Sequence, residues 1–330
     1  MATFAKSTFN ASVYSSFRPT YPQQLFNNIF EYHARSNNSR QDLAVDIGCG
    51  TGQATPQLRH FGQVIGVDPS LPMVTAAQRT STIPNIKYVQ GHAENLKGIV
   101  EPDSVDLLIS AQAAHWFDWG KVWPETRRVL RTGGTVAFWI YSEFRLTGYP
   151  SVTPRITQYA QGTDPKTSLG PHFQRPGRTI LENLLLDVPA PTEVPGVSVS
   201  GSEGGLGDFQ RVFYSGAHHP DLPHSSIIKP VEMRTTMRWR DLLGYFRTWS
   251  PLHTFHELFP DDLHVVDERF PEDLESNEEG KEDIDVRGGD IAVRFWKDLR
   301  QGVKDAGGAH GVDESVSVEW PIALLLARKV

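Results

Sequence analysis

The chain has 330 residues, 39% of them hydrophobic and 22% charged, which is enough apolar content for a substantial core and excludes a disordered chain. Its net charge of −7 is local: residues 261–290 carry thirteen Asp or Glu against three Lys or Arg, a net of −10, so the remaining 300 residues carry +3. That small excess lacks the basic footprint of a nucleic-acid binder, and no apolar run approaches the roughly 18 residues of a membrane span. The start, MATFAKSTFNAS, has no apolar leader core, and the single cysteine, Cys49, excludes an internal disulfide, so a cytoplasmic setting is expected.

Strand and helix signals alternate through the first half. LAVDIG (43–48) is an apolar strand ending in glycine, and QATPQLRHF after it has a helical pattern with proline in its first turn. QVIGVD (63–68) predicts a second strand, LPMVTAAQRT a helix, IKYVQG (86–91) a third strand and SVDLLIS (104–110) a fourth. KVWPETRRVLRTGG predicts a helix stopping at Gly133–Gly134, followed by a continuously apolar fifth strand, TVAFWIY (135–141). This is the alternation of a doubly wound α/β fold with a mostly parallel sheet. Residues 142–230 break the pattern with Pro, Gly and Ser and predict a cap inserted after the fifth strand, apart from a helical piece around RTILENLLLD. Residues 231–330 return to a strand (VEMRTTMRW), a helix (WRDLLGYFRTWSPLHTF), a second helix (RGGDIAVRFWKDLRQG) and a closing strand (SVSVEWPIALLLARKV) with a bulge or edge at Pro321. The acidic stretch at 261–290 is expected as a solvated loop.

Chemistry gathers at the predicted strand ends. In AVDIGCGTGQAT, Gly48, Gly50 and Gly52 are spaced G-x-G-x-G, which lets a ligand approach bare backbone. Gln53 stands where a nicotinamide fingerprint needs its third glycine, and Asp46 precedes the turn, which suits a cationic ligand end better than a pyrophosphate. Asp68 ends the second strand 18 residues after Gly50, where a carboxylate reaches ribose hydroxyls. Glu94, in GHAENL after the third strand, is placed to accept from an exocyclic amine. The ordered set predicts a nucleoside site.

These residues resemble a class I S-adenosylmethionine (SAM) dependent methyltransferase, a family with a Rossmann-like seven-stranded sheet containing one antiparallel strand. The resemblance implies SAM as cofactor, with Asp46, Gly48, Gly50 and Gly52 at its methionine end, Asp68 on the ribose, Ala93 and Glu94 flanking the adenine, and Gln112 near the sulfonium. YSSFRPTYP (14–22), AQAAHWFDW (111–119), LGPHFQRPGR (169–178) and RWRDLLGYFRTWS (238–250) are further similar to fungal trans-aconitate methyltransferases and related enzymes of small carboxylates. The long acidic segment and a Ser/Gly-rich stretch near residue 200 depart from that pattern and leave the substrate open.

A carboxylate acceptor is ionised at neutral pH and needs no base, only positioning, whereas a hydroxyl acceptor needs a base such as His115. The candidate anionic-substrate anchors are Arg175, Arg178 and His172, with Arg18 assigned equally to the substrate or to the carboxylate of SAM. Tyr14 and Tyr21 either form an N-terminal lid or pack the N-terminal segment. Trp116, Trp139, Tyr141, Tyr245 and Trp249 are read as walls of an acceptor pocket or as core. No metal site, nucleic acid or membrane partner is expected; the partner is a small anionic molecule, and the oligomeric state is open.

Overall fold

The computed structural model describes residues 18–197, 204–219, 221–224, 226–274 and 284–330. Five strands follow in the expected order: β1 (Leu43–Ile47), β2 (Gln63–Asp68), β3 (Ile86–Gln90), β4 (Val105–Ala111) and β5 (Leu130–Tyr141). After them come β6 (Arg145–Leu146), β7 (Leu206–Tyr214), β8 (Ile227–Lys229), β9 (Met233–Arg238), β10 (Ser315–Trp320) and β11 (Ile322–Lys329). The helices are α1 (Gln23–Ala34), α2 (Leu71–Thr80), α3 (Trp119–Val129), α4 (Thr153–Gln161), α5 (Gly177–Glu182), α6 (Trp239–Arg247), α7 (Ser250–Leu258) and α8 (Ile291–Asp305).

The main sheet has eight strands in the order β3-β2-β1-β4-β5-β11-β7-β8, and β11 alone runs antiparallel to its neighbours β5 and β7. The expected count of seven is exceeded because the short Ile227–Lys229 adds on parallel to β7. Both β7 and β8 come from within 142–230, so that segment supplies two sheet strands besides the pieces that cover the strand ends. β6, β10 and β9 form a separate antiparallel sheet.

The two-residue period of a strand sends alternate side chains to opposite faces, and two apolar clusters result. Ala137, Trp139 and Tyr141 of β5 and Ile322, Leu324 and Leu326 of β11 join one cluster. Val136, Phe138 and Ile140, with Ala323, Leu325 and Ala327, join the other. Continuous apolar runs are therefore strands buried on both sides.

Several predicted boundaries move, each for a local reason. QATPQLRHF shortens to one 3-10 turn, Thr55–Leu58, because Thr55 is held by Asp46 and Gly62 already bonds back to Gln41 to start β2. α3 ends at Val129, not at the glycines, because Leu130 pairs with Val105 of β4. Gly134 sits inside the strand, where a Cβ would lie 2.7 Å from the Val105 carbonyl oxygen. WRDLLGYFRTWSPLHTF is two helices, with Trp249 extended between them and Pro251 in the second one's first turn. The closing strand is two strands in different sheets, and Pro321 is the corner between them.

The acidic segment is largely exposed among its described residues, as a solvated loop is, yet it is tied down at several points. Residues 275–283 lie outside the described residues, but the carboxylates on either side are anchored to α8. Asp262 pairs with Arg294 at 2.7 Å, Asp267 lies 3.8 Å from Lys297, and Asp290 caps the helix by accepting from Val293 N. Asp273 pairs with Arg300, which is fully buried between the rings of Phe270 and Trp296. Among the described residues no helix is long and apolar enough to cross a membrane.

Removing one member of a buried ion pair strands the other charge, at a cost of about 3–5 kcal/mol. Asp273→Ala is therefore expected to lower the urea midpoint and Tm well beyond an exposed control such as Asp305→Ala. Equal midpoints for the two variants would contradict the anchoring role.

Candidate functional site

The carboxyl ends of the parallel strands open on one side of the sheet, and a cavity of about 430 Å³ lies there, within the range of small-molecule sites. Its floor is the turn after β1. Gly48, Gly50 and Gly52 all have positive φ, at 71°, 56° and 85°. A Cβ on Gly48 would meet Ala113 Cβ at 2.4 Å, whereas one on Gly50 would meet nothing within 4 Å. Gly48 thus serves close packing against the turn after β4, and Gly50 leaves its backbone open to the cavity.

Asp68 holds this turn to the next one. Its Oδ2 accepts from Gly50 N at 2.9 Å and its Oδ1 from Ser70 N at 2.8 Å. Burial raises the pKa of its carboxyl group, opposed by those two backbone donors. Glu94 and Ala93 line the same cavity, and Glu94 accepts from Asp118 N at 3.2 Å. Gln112 has an αL backbone (φ 57°) and staples β4 to β5: its Nε2 donates to the Tyr141 carbonyl at 3.1 Å, and Tyr141 N donates to its Oε1 at 2.6 Å.

Asp46 is elsewhere. It is fully buried beneath the turn, outside the cavity lining, and its Oδ2 accepts from Thr55 Oγ1 at 2.7 Å. Its Oδ1 has no hydrogen-bond partner among the described residues, and burial pushes its pKa up to about 7. Gly52 likewise packs away from the cavity, on the Tyr88 hydroxyl. Tyr14 falls outside the described residues, and Tyr21 stands edge-on to Trp139 with 5.4 Å between centroids while also lining the cavity.

A second, smaller cavity of about 120 Å³ adjoins the first. Gln112, Trp116, Tyr141 and Gln174 line both. Arg18, His115, Arg178, Tyr245 and Trp249 line only the smaller one. Arg18 donates from Nη1 to the Tyr141 hydroxyl at 3.0 Å and from Nη2 to the Thr248 carbonyl at 3.1 Å. His115 is buried, its Nδ1 has no hydrogen-bond partner among the described residues, and burial with the nearby Arg178 charge brings its pKa down to about 3.

Three expected substrate residues lie outside this cavity. Trp139 is fully buried on the same face of β5 as Tyr141, covered there by Tyr21 and Phe26. His172 bonds the Pro165 carbonyl at 2.8 Å and packs on Phe255. Arg175 is exposed and donates to Thr179 and Glu182. Sequence reasoning missed Glu143 and Gln174, which line the small cavity, and Ser70 and His92, which line the large one. Glu143 follows the end of β5 by two residues, so the rule that singled out Asp68 and Glu94 at strand ends also reaches it.

Comparison with known proteins agrees with this geometry. Residues 45–138 match the family described as "Methyltransferase domain". A Saccharomyces cerevisiae protein named "Probable S-adenosylmethionine-dependent methyltransferase CRG1" is 33% identical over 186 residues, 55% of this chain and 61% of that protein. A Deinococcus radiodurans protein named "Trans-aconitate 2-methyltransferase" is 30% identical over 172 residues, 48% of this chain and 64% of that protein. The chain thus spans less than two thirds of each of these two relatives. The solved structure of a proposed type II methyltransferase from Anaeromyxobacter dehalogenans superposes with a TM-score of 0.60 at 23% identity, covering 95% of this chain and 98% of its own. The fold is the Rossmann-like α/β fold of that methyltransferase structure, residues 45–138 are similar to a methyltransferase domain, and the cofactor that this likeness implies is SAM.

The large cavity fits that group. The open backbone at Gly50 would take its methionine end, Asp68 has lone pairs left for ribose hydroxyls, and Ala93 and Glu94 would flank the base. Losing a charged hydrogen-bonding partner costs roughly 1.5–3 kcal/mol, so Asp68→Ala is expected to weaken S-adenosylhomocysteine binding at least tenfold by calorimetry. Gly50→Ala should lower affinity more than Tm, and Gly48→Ala the reverse. Unchanged affinity in Asp68→Ala would remove this placement of the cofactor.

Proposed function

We propose that this chain transfers a methyl group from SAM to an oxygen of a small carboxylic acid, giving a methyl ester. The observation that carries the reading is the shared wall of Gln112, Trp116, Tyr141 and Gln174 between the two cavities. A cofactor in the large cavity and an acceptor in the small one would face each other across it. When bound, SAM supplies an electrophilic methyl group on a sulfonium.

The chain's own work is then positioning and exclusion of water, effects that reach roughly 7–11 kcal/mol in favourable cases. The aromatic residues Trp116, Phe173, Tyr245 and Trp249 wall the small cavity. Arg18 brings positive charge to a lining in which Arg178 is already paired with Glu143, which favours an anionic small molecule as partner. A carboxylate is already ionised at neutral pH, and an imidazole whose pKa is about 3 is a weak base for a hydroxyl proton. His115 therefore shapes the site and does not deprotonate the acceptor. The Deinococcus relative's name supports the same substrate class. The pieces of 142–230 that reach the cavity, including Phe173, Gln174 and Arg178, act as the substrate-binding cap.

A second reading is methylation of a secondary-metabolite hydroxyl, for which Glu143 is the carboxylate in that cavity, although its ion pair with Arg178 makes it a weak base. The two differ in product. Incubation with labelled SAM and a panel of di- and tricarboxylates should give base-labile methyl esters by mass spectrometry; stable ethers from hydroxylated aromatics alone would sink the first reading. On a carboxylate, His115→Ala should keep its kcat within about tenfold, since loss of a true general base costs roughly 10²–10⁴.

A further inference from the structure

The small cavity is not simply cationic. Glu143, 4% exposed, is ion-paired with Arg178 Nη2, while Arg178 Nε donates to Glu182 Oε1 at 2.8 Å. The Arg178 guanidinium lies 3.8 Å from the centroid of the Phe173 ring, so it is fixed in place as well as paired. Two carboxylates meet this one arginine before any substrate arrives. Glu143 lines the cavity, and of the roughly four acceptor positions of a carboxylate, Arg178, the Gln161 side chain and its own backbone amide take three, leaving one for a further donor. Burial alone would raise the pKa of Glu143, but Arg178, the Gln161 side chain and Arg145 outweigh it and keep it below the ordinary carboxylate range. His115 adds a neutral imidazole whose buried Nδ1 has no hydrogen-bond partner among the described residues.

An ionised acceptor group inside a substrate cavity seeks a donor. It also repels further negative charge, because like charges a few ångströms apart are strongly unfavourable where water is excluded. Within the carboxylate reading, on which this rests, we propose that Glu143 determines the acceptor. It selects a small acid carrying a hydroxyl or ammonium donor near the carboxyl group that is methylated, and it disfavours acids with several further negative charges. The bond that forms is between a carboxylate oxygen and the methyl carbon, the methyl–sulfur bond breaks with its electron pair leaving on sulfur, and no proton moves. Glu143 is thus a positioning and specificity group and not a base.

The test uses the wild-type protein and acceptors that differ in one group: succinate, malate and aspartate on four carbons, propionate, lactate and alanine on three, and trans-aconitate as the polyanion. Ester formation is followed as kcat/KM by mass spectrometry, and binding by calorimetry on protein saturated with S-adenosylhomocysteine. Within at least one carbon series, the hydroxy or amino acid should exceed its unsubstituted counterpart at least tenfold in both measurements, and trans-aconitate should rank lowest. Glu143→Gln should shrink the donor preference below about threefold and improve trans-aconitate, mainly through KM. If succinate or trans-aconitate is the preferred wild-type acceptor, the inference falls while the carboxylate reading stands. If a folded Glu143→Gln variant keeps the full donor preference, Glu143 is not its source. If no acid yields an ester although S-adenosylhomocysteine binds, both fall together. The wild-type ranking decides even if the variant does not fold.

Discussion

The cofactor cavity depends on one carboxylate meeting two backbone donors. Asp68 closes the second strand and receives Gly50 N on one oxygen and Ser70 N on the other. Those two amides belong to the turns after β1 and β2, so a single side chain fixes the spacing of adjacent turns at the sheet's carboxyl edge. The parallel register of β1 and β2, which sets Asp46 opposite Gly66, brings these turns side by side. The glycine conformation follows, since a turn held this closely against Ala113 on one side has no room for a Cβ at Gly48.

Gln112 performs the corresponding task one cavity further along. Its amide bonds both the N–H and the carbonyl of Tyr141, so the ends of β4 and β5 are clamped where the two cavities meet. Tyr141 in turn accepts from Arg18, which also reaches the Thr248 carbonyl beyond α6. The wall between the two cavities is thereby tied to the C-terminal third of the chain. The proposed transfer across that wall would tolerate little misalignment, and a wall built from clamped strand ends is stiffer than one built from a loop.

Charge is distributed differently in the two halves of the molecule. The buried arginines Arg178 and Arg300 each face a buried carboxylate, Glu143 and Asp273. The Arg300 pair is structural and ties the acidic segment to α8. The Arg178 pair sits in a cavity lining, where the same chemistry sets the polarity a ligand meets. An arginine that looks like an anion anchor from its residue type alone is, in this setting, already half of a balanced pair.

Sequence by itself determined the succession of strands through β5, the doubly buried character of β5, and the acids and glycines at the strand ends. These depend on short-range rules: side-chain period, turn chemistry and the offset between a glycine turn and the next strand's last residue. Sequence placed Asp68, Glu94 and Gly50 beside one cavity for that reason. It did not separate Trp139 from Tyr141, two residues apart on the same face of β5, because only the packing of Tyr21 and Phe26 over the first leaves the second at the cavity. It did not show that the acidic segment is anchored, because the residues that hold it lie about 30 positions downstream on α8. The pairing of Glu143 with Arg178 across 35 residues, and so the polarity of the small cavity, was decided by tertiary structure alone: ion pairing depends on which distant side chains the topology brings within a few ångströms, and no local pattern encodes that distance.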